Sequence, residues 1–483
     1  MRKSERVEGR AATTETERSG TSDLMARVLE RPNLQAAWKR VKRNKGSAGI
    51  DGMTVDELPD YLGAHWSELR EQLLTGTYQP SEVRRHQIPK SDGGMRQLGI
   101  PTVLDRFIQQ ALLQVLQPLF DPSFSKHSFG FRPGRSAHQA VKTAKRFVQE
   151  GRRTVVDVDL SKFFDRVNHD VLMSRLSKRI EDKMVLSLIR RYLEAGILAD
   201  GVVIERHEGT PQGGPLSPLL ANILLDEVDQ ELERRGHAFA RYADDLNVYV
   251  KSKRAGERVM AGLRKLFGKL RLVINEDKSA VASVFQRQFL GFSLWVGPGK
   301  VVRHRVSKKA AKRMKTRVRQ LTRRTRGRSL AQIAKDLRGY LVGWKNYFRL
   351  AETPRKFRDL DHWIRHRLRA IQLKQWKRGK TIFRELRARG MSESAAAKVA
   401  GNGRRWWRNS AMAINIALPN SYFDELGVPR LSDLNSSNLP HSFPRGQGRV
   451  GPARGEPSAV RFALGRVRTR MPGGVAGDVR ENS

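Results

Sequence analysis

The chain has 483 residues, with 92 Lys plus Arg against 49 Asp plus Glu, no Cys, and a formal net charge of +43. That length supports a hydrophobic core without staples, and the absence of Cys excludes disulfides, a thiolate nucleophile and any Cys-based zinc site. A charge so positive calls for a polyanionic partner.

Residues 1–32 read as a flexible, polar lead-in. It lacks the apolar stretch of a secretory signal and carries Glu5, Glu8, Glu15 and Glu17, unlike an acid-poor transit peptide. No apolar run approaches the length of a membrane span, so the expectation is a soluble, cytoplasmic protein with no membrane partner. Residues 33–300 read as one mixed α/β body. Leu34, Ala37, Trp38 and Val41 have helical spacing, residues 44–52 form a Gly-rich loop, and residues 108–119 form an amphipathic helix halted near Pro118. Lys90 and Arg96 flank the turn residues 91–94, the tip of a hairpin. Residues 154–160 are a β-branched run leading into a helical stretch over 163–176. A Gly/Pro loop over 210–215 precedes a helix with Ser217 as N-cap and Leu220, Leu224, Val228 and Leu232 on its apolar face. Residues 239–242 and 246–250 are two short strands closed by Asp244 and Asp245.

Past residue 300 the composition changes: residues 301–380 hold 27 Lys/Arg and 4 Asp/Glu, a net of 27 − 4 = +23. Trp344, Tyr347, Phe348, Trp363 and Trp376 are interleaved with these charges at helical spacings, which predicts a basic helical domain over 301–385. Residues 429–483, rich in Gly, Pro, Ser and Arg without a period, read as a disordered tail.

Asp159 closes one predicted strand, and Asp244 with Asp245 closes a hairpin of two others, so a three-stranded sheet brings the acids to one edge. Such an arrangement suits paired Mg²⁺ ions, which prefer a few carboxylates plus phosphate oxygens, and the matching reaction is phosphoryl transfer. An Asp pair in a turn is ordinary by itself. Tyr242-Ala-Asp-Asp245 between apolar strands, after a strand ending in Asp and a Thr-Pro-Gln-Gly-Gly loop, is far narrower.

With these residues in place, the chain resembles the reverse transcriptase and maturase proteins encoded by bacterial group II introns. Asp159-Leu-Ser-Lys-Phe-Phe-Asp165 resembles the first palm motif, Tyr242-Ala-Asp-Asp245 the second, and Gln212-Gly213 the substrate-contacting turn between them. Arg96-Gln-Leu-Gly-Ile-Pro101, Ser128-Phe-Gly-Phe-Arg-Pro-Gly134 and Phe289-Leu-Gly-Phe292 fit the family in order, and residues 339–348 and 360–369 resemble its maturase domain, which doubles as the thumb. The resemblance implies a right-hand polymerase, fingers and palm of mixed α/β structure followed by an α-helical basic thumb.

It also implies that Asp159, Asp244 and Asp245 are catalytic and hold two Mg²⁺ ions, with Mn²⁺ able to substitute. Asp157, two residues earlier on the same strand face, competes with Asp159. Asp159 is preferred because Phe164 then falls five residues later, where the family places a bulky residue against a 2′-hydroxyl. Core packing of Phe164 is the alternative reading of that ring. Lys90, Arg96, Gln212 and Gly213 are expected to position the nucleotide, and Lys278 to protonate the leaving pyrophosphate, with a solvated surface lysine as its alternative. Core packing is expected for Trp344 and Trp363, and RNA contact for Lys345, Arg365, Arg367 and Arg369. Residues 44–52 resemble the family's N-terminal extension, and residues 403–408 and 418–423 continue the family pattern, which implies an accessory nucleic-acid-binding region over 386–428.

The implied partners are group II intron RNA, an RNA template with a DNA primer, target DNA and deoxynucleoside triphosphates, in a cytoplasmic ribonucleoprotein. The Cys-rich endonuclease of many relatives has no counterpart in this sequence. Two other readings share the motifs: a host-adopted enzyme of repair or defence, and a splicing-only RNA-binding maturase.

Overall fold

The computed structural model describes residues 22–89, 95–199, 202–204, 208–210, 213–324, 327–411 and 413–433. In chain order its elements are α1 (Leu24–Val28), α2 (Arg31–Asn44), α3 (Leu58–Thr75), β1 (Val83–Pro89), β2 (Met95–Ile100), α4 (Val103–Phe120), α5 (Ala137–Gln149), β3 (Thr154–Val158), α6 (His169–Leu176), α7 (Lys183–Glu194), β4 (Ile197–Ala199) and β5 (Val202–Ile204). There follow α8 (Ser217–Arg234), β6 (Ala238–Tyr242), β7 (Asp245–Val250), α9 (Lys253–Lys269), β8 (Ala280–Ser283), β9 (Phe292–Val296), β10 (Val302–Val306), α10 (Lys308–Leu321), α11 (Leu330–Tyr347), α12 (Pro354–Trp376), α13 (Gly379–Ala388), α14 (Glu393–Gly401), α15 (Trp406–Asn409) and α16 (Asn420–Glu425).

The strands form a sheet of order β2-β1-β4-β5, a second of order β6-β7-β3-β8, and the hairpin β9-β10. The second sheet carries the motif acids. Its side chains alternate between two cores, as the two-residue period of a strand requires. Val156, Val158, Phe239, Leu246 and Val248 join the core that includes α8 and α9. Val155, Ala238, Ala240 and Tyr249 join a second core with α5, α10, α11 and α12. The basic helical region therefore shares a core with the sheet, and the expected boundary at residue 300 falls in the β9-β10 turn.

Several local expectations shift. The sheet has a fourth strand, β8, whose four residues Ala-Val-Ala-Ser carry too little pattern to announce it. Helix α4 ends at Phe120, close to Pro118 as expected, but starts earlier, at Val103, where the Thr102 side chain accepts from the Asp105 N–H. The stretch 163–176 is not one helix. A 3₁₀ turn at Phe163–Asp165 is followed by α6, restarted where the Asn168 side chain accepts from the Val171 N–H at 3.0 Å. Ser217 lies in the first turn of α8, and Leu216 takes the N-cap position.

The lead-in is folded at its end, with Leu24, Met25 and Val28 buried and the Met25 N–H donating to Asp182 Oδ2 at 2.7 Å. At the other end Val428 and Leu431 are buried, and the Leu431 N–H donates to Asp361 at 2.8 Å, so the fold extends past residue 428. Residues 1–21 and 434–483 lie outside the described residues. Among the described residues no helix is long and apolar enough to cross a membrane.

Candidate active site

Strands β6 and β7 pair antiparallel with Tyr242 opposite Asp245, which leaves Ala243 and Asp244 as the two-residue turn. Ala243 has φ +58°, the left-handed value that a tight hairpin turn requires and that Cβ makes costly. Strand β3 pairs with β7 through Asp157 opposite Asn247 and Val158 opposite Leu246. One more step of that register sets Asp159 opposite Asp245. The three acids named by the sequence thus share one end of one sheet.

A buried ion pair lies behind the turn. Arg241 Nε donates to Asp229 Oδ1 at 2.8 Å and its Nη2 to Oδ2 at 2.5 Å, with the side chains 1% and 0% exposed. The same guanidinium donates to the Ala243 carbonyl at 2.9 Å, to Asn222 Oδ1 at 2.9 Å and to Ser128 Oγ at 2.9 Å. Asn222 in turn donates to the Gly130 carbonyl at 2.9 Å. Gly130 packs against the turn so closely that a Cβ there would lie 2.2 Å from the Ala243 nitrogen. One guanidinium therefore ties together α8, the 128–130 segment and the strained turn.

Asp157 and Asp159 have different environments. Asp157 is half-buried and accepts from Arg287 Nε at 2.7 Å. Burial pushes its carboxyl up, Arg287 pulls it back, and the Asp159 charge adds to the rise. Asp159 is exposed. Its N–H donates to Ser279 Oγ at 3.0 Å, and its carbonyl accepts from the Asn275 N–H at 2.8 Å. Those bonds stitch it to the loop carrying Lys278, which is exposed and whose carbonyl accepts from Arg287.

The Asp245 carboxyl is pushed well above the usual range, first by burial and then by the charges of Asp157, Asp244 and Asp159, against which Arg287 acts. Clustered carboxylates that raise one another are relieved by a hard cation with oxygen ligands, so the donor set fits Mg²⁺. Among the described residues no three His, Cys, Asp or Glu side chains are gathered into a ready metal-binding group. The acids are neighbours in register, with Arg287 as the cation beside Asp157.

The remaining expected residues divide sharply. Phe164 is half-buried, edge-on to Phe163 at 5.1 Å between centroids, and packs against the first core. Its carbonyl accepts from the Thr210 N–H at 2.7 Å, which anchors the Gly/Pro loop beside it. Gly213 in that loop has φ +145°, and a Cβ there would lie 2.3 Å from the Gly99 carbonyl oxygen on β2. Only glycine lets this loop lie against the β1-β2 hairpin. Arg96 occupies β2 opposite Ile88, with its side chain outside the described residues. Lys90 and Gln212 lie outside the described residues.

Of the four cations expected to meet RNA, Lys345 and Arg365 are buried, while Arg367 and Arg369 are only partly buried. Arg365 is 1% exposed and donates to Asp424 at 2.8 Å, to the Val428 carbonyl at 3.0 Å and to the Pro429 carbonyl at 3.2 Å. Lys345 is buried with its Nζ 3.6 Å from the centre of the Phe357 ring, and the Asp361 charge opposes the fall that burial imposes on it. Arg367 is held by Thr322 Oγ1 at 2.8 Å and the Trp363 ring, and Arg369 by the Leu418 carbonyl at 2.9 Å and Asn420 at 3.0 Å. These side chains staple helices together. Exposed cations lie instead on α10, where Lys308, Lys309, Lys312, Arg317 and Arg319 surround a buried stripe of Met314, Val318 and Leu321. Trp344 is buried as expected, and Trp363 is partly buried under Lys315, Arg319 and Arg367.

Sequence reasoning also missed Arg241, Asp229 and Arg287. A signal existed for the first: the period of two in Ala-Phe-Ala-Arg puts Arg241 on the buried face of Phe239.

A model of the reverse transcriptase (RNA-dependent DNA polymerase) family matches residues 88–294, and one of the group II intron, maturase-specific domain matches residues 311–390. Protein YkfC of Escherichia coli K12 is 34% identical over 302 residues, 54% of this chain and 79% of the relative. The group II intron-encoded protein LtrA of Lactococcus lactis subsp. cremoris is 39% identical over 206 residues, 42% of this chain and 34% of LtrA. A putative COX1/OXI3 intron 1 protein of Saccharomyces cerevisiae is 30% identical over 238 residues, 49% of this chain and 27% of the relative. With its acid-bearing palm hairpin inside the first match and its basic helices α11 and α12 inside the second, the chain belongs to the group II intron-encoded reverse transcriptase and maturase family.

Proposed function

We propose that this protein extends a DNA primer on an RNA template and also binds a group II intron RNA to promote its splicing and mobility, acting in a ribonucleoprotein with target DNA. The observation that carries the polymerase reading is the register that sets Asp159 against Asp245 beside Asp244 on a turn clamped from behind by Arg241. Asp159, Asp244 and Asp245 would hold two Mg²⁺ ions, which supply Lewis acidity and counter-charge for nucleotidyl transfer. Asp159 is favoured over Asp157 because the latter is already committed to Arg287.

The protein's own groups then have distinct tasks. Phe164 excludes a ribose 2′-hydroxyl from the nucleotide site. Lys90 and Arg96 bind the triphosphate, Gln212 and Gly213 orient the nucleotide, and Lys278 donates a proton to pyrophosphate as it leaves. A raised nucleotide KM in Arg96→Ala tests the triphosphate role, and a shifted pH profile in Lys278→Ala tests the proton-donating role. Promotion of splicing needs no protein chemistry, since binding the active RNA fold stabilises it.

The deciding experiment is Mg²⁺-dependent extension of a DNA primer on an RNA template, wild type against Asp244→Ala/Asp245→Ala. Extension lost in the variant is expected. A folded, RNA-binding wild type that extends nothing would move the function to splicing alone.

A further inference from the structure

Helix α5 lies over the second sheet, and its solvent side borders an open recess of about 740 Å³. Lys126, Arg135, Lys142, Arg146 and Arg152 line it, against one carboxylate, Glu233, which is engaged by Ser125 Oγ at 2.6 Å. Among the described residues Lys126, Arg135 and Lys142 make no ion pair, while Arg146 and Arg152 share Glu150. Two rings hold the guanidinium groups in place. Arg135 lies over Phe129 at 6.0 Å, and Arg146 and Arg152 lie over Phe147 at 5.0 and 5.7 Å. His127 also lines the recess, with a buried Nδ1 that has no hydrogen-bond partner.

The opposite side of α5 is already occupied. His138 Nε2 is 2.6 Å from the Tyr347 carbonyl, and Lys145 pairs with Glu352 at 2.7 Å. The cations of the recess therefore do not serve the packing of α5 on the thumb. The recess meets the sheet at Ala238, the end of β6 away from the catalytic turn, about 13 Å from Tyr242 at ~3.3 Å per residue. From the first residue of α5, Ala137, to Arg146 its edge runs about 14 Å at ~1.5 Å per helical residue, with Arg135 just before it, longer than one phosphate group requires. Five cations open to solvent against two carboxylates, Glu233 and Glu150, match the backbone of a strand.

We propose that this recess binds the phosphodiester backbone of a single-stranded RNA segment, at a site separate from the primer-template cleft. The choice of RNA rests on the maturase reading above; the choice of a polyphosphate strand rests on the recess alone. Lys142 and Arg146, both exposed and one helical turn apart, are its principal contacts.

The test uses the full chain carrying Lys142→Glu/Arg146→Glu, and separately Lys142→Gln/Arg146→Gln, each checked for an unchanged melting transition. A labelled single-stranded RNA of about 30 nucleotides is titrated over a range of salt, beside its all-DNA counterpart. The expected result is roughly tenfold weaker RNA binding at physiological salt in the Glu variant, a smaller loss in the Gln variant, and a salt slope reduced by about 1.4 for two lost contacts. Extension of a short primer-template hybrid stays within about twofold of wild type. An equal loss with DNA supports recognition through phosphate. Unchanged RNA affinity and slope, or a loss seen with DNA only, overturns the proposal, and an equal fall in hybrid extension overturns its separation from the cleft. A wild type that extends nothing refutes the polymerase reading and leaves the binding arm to decide this one.

Discussion

Arg241 and Asp229 form an ion pair with neither side chain more than 1% exposed, and the spare donor of that guanidinium bonds the carbonyl of Ala243 at 2.9 Å. The pair is thus the support of the turn that presents Asp244. Removing one partner of a buried pair costs about 3–5 kcal/mol, because the other charge is left unpaired. Asp229→Asn and Arg241→Met are expected to destabilise the fold by that amount, read as a lowered melting temperature. Arg241→Lys keeps the charge and loses the fork, so kcat should fall about tenfold to a hundredfold with nucleotide KM changed by less than about threefold. A kcat equal to wild type in a folded Arg241→Lys enzyme would deny the pair its positioning role.

Gly130→Ala tests the same support from the other side. The added Cβ would lie 2.2 Å from the Ala243 nitrogen, so backbone must move, and what moves is the strained turn. Primer extension should drop at least about tenfold while circular dichroism stays that of wild type. Gly134, with φ +65° and nothing within reach of a Cβ, is the control. Gly134→Ala should leave extension within about threefold, paying only local strain.

The carboxyl cluster gives a pH signature. Asp245 titrates higher folded than unfolded, so its contribution to stability is fully present below the unfolded value near 4 and is lost as pH rises toward its folded value. In metal-free buffer, Asp245→Asn should therefore melt higher than wild type, by a margin that grows from about pH 4.5 to about pH 7.5. Mg²⁺ should shrink the margin. A margin constant over that range would show that the cluster does not oppose ionisation.

A single variant separates the packing of Phe164 from the sugar-selecting role proposed for it. Its contact with the first core predicts that Phe164→Ala loses roughly 3 kcal/mol of stability, at the low end because the ring is only half-buried. Its place five residues after Asp159 predicts a large rise in ribonucleotide incorporation relative to deoxyribonucleotide. Unaltered sugar selectivity in the variant would leave only the packing role.

Arg365 is expected to matter for folding and not for RNA contact. It bonds Asp424 and the carbonyls of Val428 and Pro429, so it fastens the end of the fold to α12. Arg365→Met should destabilise by about 3–5 kcal/mol. Charge-reversing Lys312→Glu on α10 should leave melting unchanged and weaken RNA binding with a reduced salt slope. The opposite ranking in an RNA titration would return Arg365 to the RNA-binding surface.

The palm hairpin was legible in the sequence because its determinants are local. A turn that needs φ > 0 between two apolar strands, and acids placed two and five residues from recognisable neighbours, are properties of a short window. The helical face of α8 was legible for the same reason, since Leu220, Leu224, Val228 and Leu232 repeat at one spacing and all are buried. What only the tertiary structure decided is which charges are inside. Arg241 meets Asp229 across 12 positions, Arg287 meets Asp157 across 130, and Arg365 meets Asp424 across 59. A guanidinium reads as solvated or RNA-binding until its carboxylate is found, and that partner is supplied by chain folding. The sequence determined which acids stand at the hairpin tip; the fold determined which cations remained available to a nucleic acid, because desolvating a charge is tolerable only where distant segments bring its counter-charge.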